Sequence, residues 1–187
     1  PVAALTAWQA LFDFANLQPG QTVLIQGGSG GVGSMAVQFA HMKGATVITT
    51  SSARNHKYLT DLGADWHIDY TKEKVVDLVK SEYPLGVDVV LDLVGGNVTS
   101  ESVALVRKGG VFVSIVDRSV DSLSNNDLKS GFIFVTPDEK QLTEIASLYQ
   151  SHIIKAPMIE ELPLDKAREA LQKVKAGHVT GKIVLKI

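Results

Sequence analysis

A run near the N-terminus, Val23-Leu24-Ile25-Gln26-Gly27-Gly28-Ser29-Gly30-Gly31-Val32-Gly33-Ser34, carries two chemistries in overlapping frames. Gly27 to Gly31 reads G-x-S-x-G, the strained turn that exposes a nucleophilic serine. Gly28 to Gly33 reads G-x-G-x-x-G, the turn whose backbone approaches a pyrophosphate. A nucleophilic serine needs an acid and then a histidine downstream, and Asp92 or Asp117 followed by His152 or His178 meets that order. It also needs an oxyanion donor from an earlier strand, and only a helical pattern precedes Thr22. The second frame accounts for every glycine. Gly28 makes the tight turn, Gly30 admits the pyrophosphate to the backbone, and Gly33 lets the helix pack on the strand. The N-terminus of that helix adds partial positive charge facing the phosphates. Ser29 is therefore read as part of a phosphate cradle and not as a nucleophile.

An acid that holds the ribose hydroxyls of NAD belongs about 20 residues past such a fingerprint, at the end of the second strand. That place reads Thr49-Thr50-Ser51-Ser52-Ala53-Arg54-Asn55-His56-Lys57, with no Asp or Glu. Ser51 and Ser52 offer small donors and Arg54 a fork suited to phosphate, which is the pattern for NADP. The competing view makes Arg54 and Lys57 solvated cations at a helix start. A second tempting motif is Tyr70-Thr71-Lys72-Glu73-Lys74, the Y-x-x-x-K of short-chain dehydrogenases. Its position after the third strand is too early for that catalytic pair, so Tyr70 is expected at a strand end near adenosine.

The elements that would position these residues alternate. A helix is expected over 3–16, then a Pro-Gly break and a strand from Thr22 to Gln26. A helix from Val32 to Met42 and a β-branched strand from Thr46 to Thr50 follow. Asn55 to Leu62 and Thr71 to Ser81 read as helices, with strand Asp65 to Asp69 between them. Strand Val87 to Leu91, helix Val98 to Leu105, a Gly109-Gly110 turn and strand Val111 to Val116 complete the series. Residues 117–130 read as a loop, Phe132 to Val135 as a strand and Leu142 to Gln150 as a helix. This alternation predicts an α/β, Rossmann-type, doubly wound parallel sheet with helices on both faces. Residues 1–150 form that domain, and 151–187 a tail with a helix from Leu164 to Ala176 and a strand from Ile183 to Ile187.

Composition narrows the functional classes. With 187 residues, 45% apolar content and 20% charge, the chain is an ordinary globular one. A net charge of −2 with no basic run offers no electrostatic footprint for nucleic acid or a membrane surface. No apolar run reaches the ~20 residues of a membrane span. There is no cysteine, which excludes disulfides and thiolate metal ligands and suits a reducing cytoplasm. The five histidines are unclustered in sequence, so no metal site is expected.

Together these motifs resemble the zinc-independent quinone oxidoreductase branch of the medium-chain dehydrogenase/reductase superfamily. The resemblance rests on Leu5-Thr6-Ala7-Trp8-Gln9-Ala10-Leu11, Gly30-Gly31-Val32-Gly33, Leu62-Gly63-Ala64-Asp65, Ile68-Asp69-Tyr70 and Asp88-Val89-Val90-Leu91-Asp92. Gly109-Gly110 and the closing Gly181-Lys182-Ile183-Val184-Leu185 extend it over essentially the whole chain. It implies that Thr6 contacts the nicotinamide side of the cofactor and that Gly30, Gly31 and Val32 hold the pyrophosphate. Ser51, Ser52 and Tyr70 would surround the adenosine 2′-phosphate. Val94 and Gly95 would lie near the nicotinamide ribose, and Lys182 would return to the phosphates. The strand Phe132–Val135 would pair subunits in a homodimer.

Many NADPH-using members carry a lysine where this chain has Asn55, and the residue types leave open whether Arg54 takes its place. Zinc-dependent cousins have a cysteine where this chain has Val2. The resemblance also implies a preceding GroES-like, barrel-like substrate domain of about a hundred residues, with the tail folding onto it; on that expectation the chain is the cofactor-binding portion of a longer protein. The implied chemistry is hydride transfer from NADPH to a quinone, enone or related small-molecule acceptor. No residue of this chain is singled out as catalytic. The alternative is a non-catalytic NADPH-binding sensor or scaffold, because fold alone does not set function.

Overall fold

The computed structural model describes residues 1–177 and 179–187; His178, one of the histidines weighed above, lies outside the described residues. Each strand alternates its side chains between two covered faces, as the two-residue period requires. Val23 and Ile25 of β1 (Thr22–Gln26) point to one core, with Val47 of β2 (Thr46–Ser51) and Leu91 of β4 (Val87–Asp92). Leu24, Ile48 and Val90 point to the other, with Ile68 of β3 (Trp66–Asp69) and Phe112 of β5 (Val106–Ser114). A sheet apolar on both faces is stable only between two helical layers. Helices α1 (Val2–Trp8) and α2 (Gly33–Met42) contribute to the first core, and α4 (Val75–Glu82) to the second through Val79. Trp8, Phe12 and Phe39 stack edge-on where α1 meets α2, with centroids 4.7 and 5.3 Å from Trp8.

With β6 (Leu128–Phe132), the six strands of the main sheet are all parallel, in the order β3-β2-β1-β4-β5-β6. This is the doubly wound order expected of the alternation, and the chain reverses its direction of winding between β1 and β4. Connections run through α2, α3 (His56–Asp61), α4 and α5 (Asn97–Val103). After β6, α6 (Glu139–Gln150) packs back against α1. The tail forms a parallel pair, β7 (Ile159–Pro163) with β8 (Lys182–Lys186), joined by α7 (Ala167–Lys175).

Local expectations changed in three places. The first helix continues as a π-helix over Gln9–Phe14. Gly109-Gly110 is not a turn between elements: both lie inside β5, where Gly109 takes φ +74° and the β4–β5 register shifts between Val87 and Val89. A bulge and a turn share the same glycine signature, and only pairing tells them apart. The strand expected over Phe132–Val135 is β6, Leu128–Phe132, so most of it falls inside the segment read as a loop. The remainder of that loop holds a 3₁₀-helix, Arg118–Leu123, capped by the Asp117 side chain. Lys129, Ser130 and Gly131 have weak strand propensity, and the apolar run after them drew the expected strand downstream. Beyond Phe132 the chain leaves the sheet, and Gln9 bonds both the N–H and the carbonyl of Thr136, at 3.0 and 2.8 Å. Phe134 is left 73% exposed.

Candidate functional site

In a doubly wound sheet the crevice opens at the carboxyl ends of the strands, where the winding reverses. A cleft of about 580 Å³ lies there. Its floor is the glycine turn after β1. Gly27 takes φ +76°, so it makes the tight turn that the motif alone assigned to Gly28. Gly28 is required for a different reason: a Cβ there would run into Thr49, whose own Cβ would lie 3.0 Å away. The turn is stitched to β2, with Gly27 N–H donating to Thr50 Oγ1 (3.1 Å) and Gly28 N–H to the Thr50 carbonyl (3.0 Å). Gly33 packs so tightly that a Cβ would sit 2.7 Å from Gly28 Cα, which supports its role in joining helix to strand. Gly30 lines the cleft, and a Cβ there would meet only the Gly27 carbonyl, at 3.5 Å.

Helix α2 begins at this turn with Val32 at its N-cap and no side chain accepting from its first amides. The Ser34 and Met35 N–H groups donate to the Gly30 and Val32 carbonyls (2.9 and 3.1 Å), so this helix end offers an anion its dipole and the backbone ahead of Ser34. Lys182 of β8 lays its side chain over Gly31, with Nζ 2.5 Å from where a Cβ would stand. A cation beside a helix N-terminus is unfavourable alone, and an anion between them offsets both charges. The tail is locked to the loop in the same place: Gly181 N–H donates to the Ser29 carbonyl at 2.8 Å, and Gly181 bridges to Gly30.

One end of the cleft is polar. Ser51, Ser52 and Arg54 line it at the end of β2, and Tyr70, 47% exposed, lines it after β3. Ser51 is the buried member, at 2% exposure. Asn55 is buried beside them and ties the tail down, its Oδ1 accepting from Thr180 Oγ1 at 2.8 Å. Glu73 also lines this end, with its carboxylate accepting the Asp69 N–H at 3.1 Å. Thr71 hydrogen bonds hold the Asp69 carboxyl below the usual carboxylate range.

The other end is shaped by the turn after β4. Asp92 is fully buried, and one carboxylate oxygen accepts the N–H groups of Val94 and Gly95, each at 3.0 Å. The other accepts Thr99 Oγ1 at 2.6 Å and Ser114 Oγ at 3.1 Å. Four donors leave the carboxylate satisfied and hold Val94 at the cleft wall.

The fold therefore gathers Gly30, Ser51, Ser52, Arg54, Tyr70 and Val94 around one cleft. Gly28 and Gly33 support its floor from behind, Gly31 and Val32 lie at the start of α2 beside it, and Gly95 follows Val94. Thr6 lies outside the cleft lining; its hydroxyl donates to the Val2 carbonyl of its own helix at 2.8 Å. Among the described residues no histidine contacts Ser29, and the acids of the hydrolase ordering are engaged elsewhere. Asp92 holds its turn, and Asp117 caps Ser119. Sequence reading missed the Gln26–Ser102 hydrogen bond (2.8 Å) in the cleft lining and the contact of His67 with Ser51, because both depend on which elements neighbour which.

Residues 62–185 match a family model described as zinc-binding dehydrogenase. The chain is 36% identical over 191 residues to the 2-methylene-furan-3-one reductase of Solanum lycopersicum, covering 99% of this chain and 45% of that protein. Among solved structures it resembles the quinone oxidoreductase from Coxiella burnetii, with TM-score 0.91 and 33% identity, over 100% of this chain and 59% of that one. A mycobacterial protein complexed with NADPH superposes with TM-score 0.85 at 26% identity, over 100% of this chain and 62% of that one. The chain thus spans between about half and three-fifths of these proteins. Among the described residues no three His, Asp or Glu side chains converge as metal ligands. Among the same residues no helix is long and apolar enough to cross a membrane.

Proposed function

The chain belongs to the zinc-binding dehydrogenase family of the medium-chain dehydrogenase/reductase superfamily, and we propose that it holds NADPH for hydride transfer to a quinone, enone or related activated acceptor. The observation that carries this reading is the two-part cleft. It joins a glycine turn opening on a helix N-terminus without a side-chain cap to a β2 terminus that presents hydroxyls and an arginine instead of a carboxylate.

When bound, the dihydronicotinamide of NADPH supplies the hydride to an electron-poor C=C or quinone carbonyl. The chain's own residues bind and orient. The backbone at Gly30 and Gly31 and the first turn of α2 take the pyrophosphate, with Lys182 adding a full positive charge. Ser51, Ser52, Arg54 and Tyr70 take the 2′-phosphate, the arginine through a charge-assisted fork and the hydroxyls as neutral donors. Glu73 opposes that phosphate electrostatically, and its hydrogen bond to the Asp69 N–H keeps it tethered to the β3 end. The turn fixed by Asp92 sets the opposite wall and keeps Val94 against the space left for the nicotinamide half. The acceptor preference is read from the relatives, which include a quinone oxidoreductase and a furanone reductase.

The test is a titration of the chain with NADPH and NADH, followed by cofactor fluorescence. NADPH binding tighter by tenfold or more, about 1.4 kcal/mol, supports the 2′-phosphate site. Equal affinities overturn the NADP preference while leaving the dinucleotide cleft, and no binding to either overturns both. NADPH oxidation by the chain or a longer form containing it, against a quinone and enone panel, tests the acceptor class.

A further inference from the structure

Three side chains from three elements touch in series behind the polar end of the cleft, starting from its lining residue Ser51. Ser51 Oγ on β2 lies 2.8 Å from His67 Nε2 on β3, and His67 Nδ1 lies 3.1 Å from His56 Nδ1 at the start of α3. The protons along this series can be counted. The Ser51 hydroxyl has one proton, and both the Ser52 carbonyl at 3.0 Å and His67 Nε2 at 2.8 Å lie within its reach. With that proton donated to the Ser52 carbonyl, His67 Nε2 donates to Ser51 Oγ. In that arrangement the one N–H of a neutral imidazole sits on Nε2, so His67 Nδ1 accepts and His56 Nδ1–H donates. Burial and then the neighbouring His56 lower the pKa of His67, against the pull of the Asp69 carboxylate, a hydrogen bond to the Ser51 backbone and the Glu73 carboxylate, and the net lowering favours the neutral ring near pH 7.

We propose that His67, which lies outside the cleft lining, is a positioning residue that selects for a cofactor carrying a 2′-phosphate by orienting the Ser51 hydroxyl, with His56 setting its tautomer. The inference rests on the NADPH reading above. A bond received from Nε2–H anchors Ser51 Oγ while leaving its only proton free. That proton can then swing from the Ser52 carbonyl to a phosphate oxygen, and the received bond polarises it further. The opposite tautomer would take the Ser51 proton and turn serine lone pairs toward the phosphate, which repels. The order of the series therefore decides whether Ser51 recognises a phosphate or rejects it.

Two substitutions at His67 separate this role from packing. His67→Leu removes the donor, and His67→Gln returns an N–H that can reach Ser51. Titrations with NADPH and NADH are read beside melting temperatures. The expected result is about a tenfold loss of NADPH affinity in His67→Leu, NADH affinity within about twofold of wild type, and recovery of most of the NADPH preference in His67→Gln. His56→Phe, at an exposed position, is expected to weaken NADPH by about twofold to threefold and serves if His67→Leu does not fold. A wild-type chain that prefers NADPH together with a His67→Leu variant that keeps the preference overturns the inference alone. So does an equal loss of both cofactors. A wild-type chain that binds the two equally, or neither, overturns the NADPH reading and the inference falls with it.

Discussion

Two glycines three residues apart should respond to the same alanine in opposite ways. At Gly33 the new Cβ would stand 2.7 Å from Gly28 Cα and 2.8 Å from Gly28 C, against 3.4 Å or more for ordinary contact. Both neighbours are backbone atoms of a turn pinned to β2, so neither can swing aside. Overpacking of this kind costs about 1–3 kcal/mol, and the better helix propensity of alanine returns at most about 1 kcal/mol in a first turn. A net loss of about 1–2 kcal/mol lowers Tm by about 2–8 °C for a chain of this size. At Gly30 the new Cβ meets only a carbonyl at 3.5 Å and projects into the cleft, outside the left-handed region that glycine alone favours. Stability should hold or rise by up to about 1 kcal/mol through the unfolded chain. Binding should fall by at least about tenfold, because the methyl occupies the approach of the pyrophosphate to the backbone. The assay pairs a thermal melt with an NADPH fluorescence titration on both variants. A Gly30→Ala protein that binds like wild type would refute the cradle, and a Gly33→Ala protein that melts like wild type would refute the close packing of helix on strand.

Ser51→Asp places a carboxylate where a 2′-phosphate is expected, and should invert the preference to NADH, measured as the ratio of the two dissociation constants; an unchanged ratio would move the ribose pocket elsewhere. Asp92→Ala strands two backbone N–H groups and two hydroxyls. It should cost about 3 kcal/mol, or about 6–12 °C in Tm by calorimetry. The lowered pKa of His67 has a definite sign: below about pH 6.5 the unfolded chain takes up a proton that the folded ring resists. That share of stability is therefore present near pH 7.5 and lost on acidification toward about pH 5.5, above the window in which carboxylates titrate. Tm should fall less over this range in His67→Gln than in wild type, and equal slopes would refute the assignment.

Much of the fold was legible because local periodicity carries it. The βα alternation, the strand Thr22–Gln26 and the glycine turn follow from side-chain period and backbone freedom, which are properties of short windows. Edges of the sheet were less legible. Leu128–Phe132 has poor strand propensity and becomes a strand only because the exposed edge of β5 is there to pair with it. Gly109 reads as a turn in one dimension and is a bulge in three.

The candidate site divides along the same line. The absence of an acid after β2, the three glycines of the fingerprint and the presence of Arg54 just past β2 are statements about residue type at a spacing, and the sequence by itself determined them. It could not determine that Gly27 makes the turn while Gly28 clears Thr49, since that depends on β1 lying against β2 in a particular register. Nor could it bring His67 to Ser51, or Thr180 to Asn55 across 125 residues. Such contacts join residues whose separation along the chain carries no information about their separation in space. Strand order and register bring them together, and both are set by the packing of two helical layers on one twisted sheet.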